Sequence, residues 1–379
     1  MISLNELAPG FMALTIVVSL LFILVDRKKR GVKELPFISF LIPTHNDAGY
    51  IEDTIKNIYK SYDSKKFEIV IVNDKSTDNT SEVLARLNKK YKFKLINNKV
   101  NKGKAVTIND SVSETNGDII FMIDSDIILN KKSVMDIIKR FKSDENVGGV
   151  SCNYAVKNRD GFFPMMLDIE YSMLSFIQLS YNFFSTVSMW GGCMAFRRKA
   201  FLEIGKLSRN NLTEDMDAAL KLKEHGWKAE QSACPVYACV PEDFKAWYRQ
   251  KMRWSGGGMQ NFIKHYKIFM KNPLVVLFLL STAIFAVAFV YNVISGLMWL
   301  KSGYSPASIT ENLLIMLAFP LFTLPYVLFY KGYRKNPGRL LLVFPYAFIY
   351  YPIFMIACLI GFLKVIWNYR TLEKSKRAW

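Results

Sequence analysis

Residues 118–126 read DIIFMIDSD, an unbroken apolar run that ends, with no spacer, on two carboxylates one residue apart. A short apolar run rich in β-branched residues reads as a strand buried on both faces, as in a parallel sheet. Two other runs have the same form. Phe37–Ile42 (FISFLI) leads into Pro43-Thr44-His45-Asn46-Asp47, and Phe67–Val72 (FEIVIV) leads into Asn73-Asp74. Between these runs Ile51, Ile55, Ile58 and Tyr59 recur at helical spacing, and Val83, Leu84 and Leu87 do so after the capping cluster Ser76-Thr77-Asp78. Phe93–Ile96 reads as another strand. Alternating strand and helix from about Leu35 to Val150 predicts a βαβ series and an open, mostly parallel sheet. Such sheets bind ligands at the carboxyl ends of their strands, so three polar clusters at three strand ends predict one site.

Each cluster has a chemical reading beside a plainer one. Asp124-Ser125-Asp126 can hold a divalent cation, although a lone Asp-x-Asp also occurs in surface turns. Asp74 is placed to bind a base or a ribose, or to close a strand-end turn. Asn101-Lys102-Gly103-Lys104-Ala105 opens a helix and joins two cations to a helix N-terminus, which makes an anion site or a solvated basic turn. Gly191 and Gly192, in WGGCMAFRR, permit close backbone approach to a ligand or simply turn the chain into a strand. Thr213-Glu214-Asp215 precedes an amphipathic helix over Met216–His225. Asp215 is the candidate general base, and Thr213 also suits an ordinary helix start. In Gln250-Lys251-Met252-Arg253-Trp254, Arg253 suits a diphosphate and Trp254 a sugar face, while a basic aromatic helix also snorkels at membranes.

Taken in order, Asp74, Asp124-x-Asp126, Thr213-Glu214-Asp215 and Gln250-x-x-Arg253-Trp254 resemble the D, DxD, TED, QxxRW signature of membrane-integrated family-2 inverting glycosyltransferases. That group includes cellulose, chitin, hyaluronan and poly-N-acetylglucosamine synthases and ceramide glucosyltransferase. TEDMDAALKLKEHGW, GGCMAFRRKAF and NKGKA look most like the synthase versions, and the resemblance spans about Phe37 to Trp254. It implies an α/β GT-A (nucleotide-diphospho-sugar transferase) domain with a mixed, mostly parallel sheet, plus transmembrane and interfacial helices. It also implies Mg2+ or Mn2+ as cofactor and transfer with inversion. The donor it implies is a nucleotide sugar, most often a UDP-sugar, and the product a β linkage.

Carried over by position, Asp74 and Asp124 contact nucleoside and diphosphate, Asp126 ligates the metal, and Asp215, with Glu214 and Thr213, forms the catalytic group. Pro43, Asn46, Lys102, Lys104, Ser125, Gln250, Arg253 and Trp254 complete the donor site. Gly191, Gly192 and Trp254 flank the acceptor. The first expectation is a synthase that extends a polysaccharide, with translocation of the product left open. The other is a single transfer to a membrane lipid, as in ceramide glucosyltransferase. The chain is shorter than the large cellulose synthases and shows no regulatory domain.

A net charge of +18 invites a nucleic-acid partner. Much of the excess flanks apolar blocks, at Asp26–Arg30, Lys331–Arg339 and Lys364–Arg377, where it orients a chain and touches anionic lipid instead. No nucleic acid is expected. Ala8–Val25 reads as an uncleaved anchor, because no Lys or Arg precedes it and DRKKR follows. Phe162–Phe184 reads as a helix lying in the membrane interface, since Asp168, Glu170 and Gln178 interrupt it. Pro273–Leu300 and Asn312–Tyr330 read as spans. Leu340–Leu363, with Pro345 and Pro352, reads as a third crossing or as a broken, re-entrant segment. The expected divisions are 1–34 as anchor, 35–240 as cytosolic catalytic domain, 241–272 as interfacial helices, and 273–379 as a multi-pass region in the cell membrane. The five cysteines lack metal-type spacing and read as reduced thiols.

Overall fold

The computed structural model describes residues 4–26, 34–281 and 337–372, with single positions 283, 284, 287, 291, 294, 323, 324 and 328. Seven strands form one sheet: β1 (Ile38–Thr44), β2 (Phe67–Asn73), β3 (Lys94–Asn97), β4 (Ile119–Ile123), β5 (Val147–Val156), β6 (Cys193–Arg197) and β7 (Lys228–Ala238). Their order is β3-β2-β1-β4-β6-β5-β7. The pairs β1–β2, β1–β4, β2–β3 and β5–β7 are parallel, and β6 runs antiparallel to both neighbours. The sheet is therefore mixed and mostly parallel, as expected. The DIIFMI run is β4, and all five of its residues are buried.

Alternation along each strand divides the core into two layers. Phe40 and Ile42 of β1, with Phe121 and Ile123 of β4, meet the apolar stripes of α2 (Ile51–Ser61), α3 (Thr80–Lys90) and α5 (Lys131–Ser143). Leu41, Ile120 and Met122 face the other way, onto α4 (Lys104–Ser111), α7 (Arg198–Glu203) and α8 (Glu214–Glu224). Asn130 caps α5 by accepting from the Ser133 N–H at 3.0 Å, with Ser133 reaching back.

The helix α6 (Phe162–Tyr181) corrects the reading of Phe162–Phe184 as an interface-lying segment: fifteen of its twenty residues are buried. It packs on β5 and β7. The polar residues that suggested an interface are satisfied inside the protein. Asp168 pairs with Arg159 at 3.5 Å, Glu170 with Lys251 at 2.5 Å, and Gln178 accepts from the Trp190 indole. On its outer side α6 meets α1 (Leu4–Asp26) through Phe176, Ile177 and Leu179 against Ile16 and Ile23. The opposite side of α1 exposes Leu14, Val17, Leu21 and Leu24.

Helix α9 (Phe244–Met270) carries the Gln-x-x-Arg-Trp segment and is kinked at His265 (φ −121°, ψ 24°). It lies against a final helical path that begins with a 3-10 stretch at Pro337–Leu342. A π turn at Tyr346–Tyr350 then leads into α10 (Tyr351–Leu372). Those changes of helical pitch absorb Pro345 and Pro352, so the Leu340–Leu363 segment is continuous rather than broken. The two helices touch backbone to backbone. A Cβ on Gly361 would collide with Ser255 Oγ and stand 2.8 Å from the Met252 carbonyl oxygen.

Among the described residues one helix, Gly338–Trp367, is long and apolar enough to cross a membrane, and Ala13–Leu24 is a shorter apolar helix. Residues 273–281 are helical, but the rest of the expected Pro273–Leu300 and Asn312–Tyr330 spans, apart from the single positions given above, lies outside the described residues. All five cysteines are free, and the buried Cys152 and Cys193 thiols stand 3.2 Å apart.

Candidate active site

The loops that follow β1, β2 and β4 converge at one edge of the sheet. After β1, Asp47 Oδ2 accepts from Thr44 Oγ1 (3.0 Å) and from the His45 N–H (2.8 Å), which fixes a tight turn. Asn46 stands at φ 61°, and its side-chain carbonyl accepts the Thr77 N–H at 2.7 Å. Asn46 thus stitches the β1 loop to the β2 loop.

Asp74 is 4% exposed and gathers the next turn around itself. Its carboxylate accepts from the N–H groups of Lys102 (3.0 Å) and Gly103 (2.8 Å) and from Asn98 Nδ2 (2.7 Å). Burial works to raise its pKa, but these donors outweigh it and hold the carboxyl below its usual range. Gly103, at φ 79°, takes a backbone conformation open to glycine and closed to most other residues. The NKGKA turn is therefore built on Asp74. The Lys102 ammonium turns outward to Asp110 at 2.8 Å, whereas Lys104 turns inward. Lys104 Nζ meets Asp124 Oδ1 at 2.5 Å and donates to the Gly191 carbonyl at 2.9 Å.

Behind β4, Thr54 Oγ1 donates to the carbonyls of Ser125 (2.6 Å) and Ile127 (3.1 Å), which holds the Asp-Ser-Asp turn in place. The Asp124 N–H donates to the Gly192 carbonyl at 2.8 Å. Asp126 is pushed up to about 6, first by burial and then by the charge of Asp124.

Thr213 precedes α8, but its side chain does not cap the helix. Its Oγ1 accepts from Asn261 Nδ2 of α9 at 2.9 Å. Asp215 is pushed up to about 6, chiefly by burial and next by Glu214. A Cβ on Gly191 would stand 2.7 Å from Asp215 Oδ2, and one on Gly192 would strike the Tyr154 hydroxyl. Both glycines are required by close approach.

Two cavities of about 400 Å3 each meet here and share Lys104, Asp124 and Asp126. The first runs over Pro43, His45, Asp74 and Gly103. The second takes in Gly191, Gly192, Thr213, Glu214, Asp215, Gln250, Arg253 and Trp254. The structure brings these sequence-predicted residues together. It leaves the side chains of Asn46 and Lys102 out of the cavity lining, as supports of the loops.

Several lining residues were not read from the sequence. Tyr154, Tyr171, Gln178 and Trp190 wall the second cavity. Trp254 stacks on Tyr171 (6.0 Å, 28°) and meets Trp190 edge-on at 5.9 Å. Tyr171 and Gln178 fall in the Phe162–Phe184 segment read as an interfacial helix, and Tyr154 and Trp190 carried no role in the sequence. Beneath Trp254 lies Lys251, wholly buried, with its ammonium 4.3 Å from the indole centroid. Its partner Glu170 also accepts from the Tyr350 hydroxyl, which in turn accepts from Trp247 Nε1 at 2.8 Å. The lysine sits within the motif at a position to which no role was given.

Known proteins resemble the chain in sequence and in fold. Residues 39–205 match glycosyl transferase family 2. The poly-beta-1,6-N-acetyl-D-glucosamine synthase of Staphylococcus aureus (strain MSSA476) is 28% identical over 301 residues, covering 76% of this chain and 72% of that one. The synthase of the same name from Staphylococcus epidermidis is 27% identical over 269 residues, covering 69% and 65%. Among solved structures, a mannosyltransferase from Pyrobaculum calidifontis in complex with GDP-Man and Mn2+ superposes with a TM-score of 0.58. It is 20% identical and covers 95% of this chain and 99% of that one, a likeness of fold. The matched region resembles family-2 glycosyltransferases and sits on a GT-A-like sheet, and the protein is a hexosyltransferase.

Proposed function

We propose that this protein extends a polysaccharide at a membrane, moving a hexosyl unit from a UDP-sugar to the hydroxyl of a growing glycan with inversion to a β linkage. One observation carries the reading most. The half-buried Asp215 carboxyl lies on the second cavity, which shares Lys104, Asp124 and Asp126 with the first cavity over the β1 and β2 loops. A donor lying across the shared residues would present its anomeric carbon toward Asp215. The names of the relatives make UDP-N-acetylglucosamine the first donor to test.

In this mechanism the loops around Asp74 and Pro43 receive the nucleoside, and the Lys104 ammonium faces the diphosphate. Asp215 takes the proton of the acceptor hydroxyl as its oxygen attacks the anomeric carbon. The bond from that carbon to the diphosphate breaks, and the electron pair leaves on UDP, which Arg253 and Gln250 cover. Trp254, with Gly191 and Gly192, forms the acceptor side, and Glu214 keeps Asp215 basic.

A divalent cation fits Asp126. Its carboxyl is half-buried, close to that of Asp124, and common to both cavities. No group of three or more His, Cys, Asp or Glu side chains is gathered among the described residues. Most ligands would therefore come from the diphosphate and water, as is usual for Mg2+. When bound, Mg2+ or Mn2+ would neutralise charge on the leaving diphosphate.

The apolar outer side of α1 and the Gly338–Trp367 helix would lie in lipid, as parts of a multi-pass region with the catalytic domain on the cytosolic side.

The test is UDP release by membranes containing the protein, across UDP- and GDP-sugars, with Mn2+, with Mg2+ and with EDTA, beside Asp215→Asn. Release from one UDP-sugar, lost with EDTA and lost in the variant, is the expected result. Equal release by Asp215→Asn would remove that residue as base. A single-sugar lipid as product would replace the polysaccharide reading with lipid glycosylation.

A further inference from the structure

Two buried polar atoms in the second cavity have no hydrogen-bond partner among the described residues: the Tyr154 hydroxyl and Gln250 Oε1. Tyr154 is 8% exposed. It stands at the carboxyl end of β5, with its ring 4.7 Å from Trp190 and 6.1 Å from Tyr171. An orphaned buried hydroxyl destabilises the folded protein. A core position facing only apolar neighbours would be served better by phenylalanine. The backbone also makes room for this oxygen, since any side chain at residue 192 would overlap it. Burial, followed by the carboxylate of Asp124, holds the phenol in its protonated form, so the group offers a donor. Gln250 is held by a hydrogen bond to Tyr171 and offers an acceptor. A donor and an acceptor among Trp190, Trp254 and Tyr171 match a pyranose ring, whose faces stack on aromatics and whose edge carries hydroxyl and carbonyl groups.

We infer that the Tyr154 hydroxyl is a sugar-binding group, donating a hydrogen bond to an oxygen of a hexopyranose in the second cavity. The ring belongs either to the donor or to the acceptor glycan, since the chemistry is the same. The inference rests on the hexosyl-transfer reading of this site.

The test is Tyr154→Phe, which removes one oxygen and keeps the ring. Binding is measured in the Asp215→Asn background, so that no turnover is needed, with UDP, UDP-N-acetylglucosamine and an N-acetylglucosamine tetramer as probes. Thermal unfolding of the ligand-free protein is followed in parallel. The expected result has three parts. The melting temperature is unchanged or higher, UDP affinity stays within twofold, and affinity for one of the two sugar probes falls about five- to tenfold. The probe that weakens identifies which ring Tyr154 holds. Unchanged affinity for both sugars, absence of binding by either, or a lower melting temperature in Tyr154→Phe would overturn the inference. Turnover by Asp215→Asn alone is scored separately: it would refute the assignment of the base and leave the Tyr154 measurements standing.

Discussion

Replacing Gly191 with alanine tests the placement of the base with a single methyl group. The added carbon would stand 2.7 Å from Asp215 Oδ2, 3.3 Å from Cγ and 3.4 Å from Cβ. The first distance is about 0.7 Å inside ordinary non-bonded contact, so either the carboxylate or the Gly191 turn has to shift. The turn has little freedom, because the Gly191 carbonyl accepts from Lys104 and the Gly192 carbonyl from the Asp124 N–H. The carboxylate therefore moves, by an amount close to the 1 Å scale at which misplacement costs about 100-fold in rate. A 100-fold loss corresponds to about 2.7 kcal/mol of barrier. The expected result for Gly191→Ala is a kcat for UDP release about 100-fold lower, with UDP affinity within twofold. The nucleoside loops lie on β1 and β2, away from the clash. Gly258→Ala is the control, since nothing lies within 4 Å of its added carbon. A folded Gly191→Ala protein with kcat within threefold of wild type would refute the placement of Asp215 at the reacting centre.

Three further outcomes are expected. The Asp215 carboxyl, raised to about 6, works only when ionised, so kcat/KM should be level above that pH and fall about tenfold per unit below it. The same shift penalises the ionised fold: relative stability is present below the unfolded value near 3.8 and is lost as pH rises through about 6. Asp215→Asn should therefore be more stable to denaturant unfolding than wild type at pH 7, by on the order of 1–3 kcal/mol, with the difference vanishing below about pH 4. A flat pH profile or a less stable variant would contradict this. Lys251→Met strands the Glu170 carboxylate, which is buried at 5% exposure, and should cost about 3–5 kcal/mol in denaturant unfolding. Adding Glu170→Gln should recover most of that loss. Equal stability of the single and double variants would show that the ion pair is not the source.

The parts of the fold legible in the sequence are those whose cause is local. β1, β2 and β4 are buried on both faces, so each is an apolar run that announces itself, and the predicted ends fall within two residues of the observed ones. The strand-end part of the site is legible for the same reason, because Asp74, Asp124 and Asp126 follow those runs directly. What escaped depends on distant partners. The antiparallel insertion of β6 between β4 and β5 joins residues about seventy positions apart, and β7 carries Glu230, Gln231 and Pro235 with no strand alternation to read. Polar residues in an apolar helix imply water when their partners are unknown. Glu170 finds its cation at Lys251, and Gln178 finds the Trp190 indole, so α6 is buried where an interface was expected. Tyr154 was missed for a related reason, since its importance lies in what the surrounding fold withholds from it.

The close seam between α9 and α10 bears on how such proteins diversify. Gly361 leaves no space between the helix that carries Gln250, Arg253 and Trp254 and the apolar helix beside it, and Tyr350 ties the two through Glu170 and Trp247. A recombination point placed after Met270 would separate matched halves. The transplanted catalytic portion would inherit a Trp247 indole with no Tyr350 to receive it, and a surface shaped for a glycine it no longer meets. The α10 segment can be exchanged between relatives only together with the face of α9 that fits it, so this seam should drift as a unit.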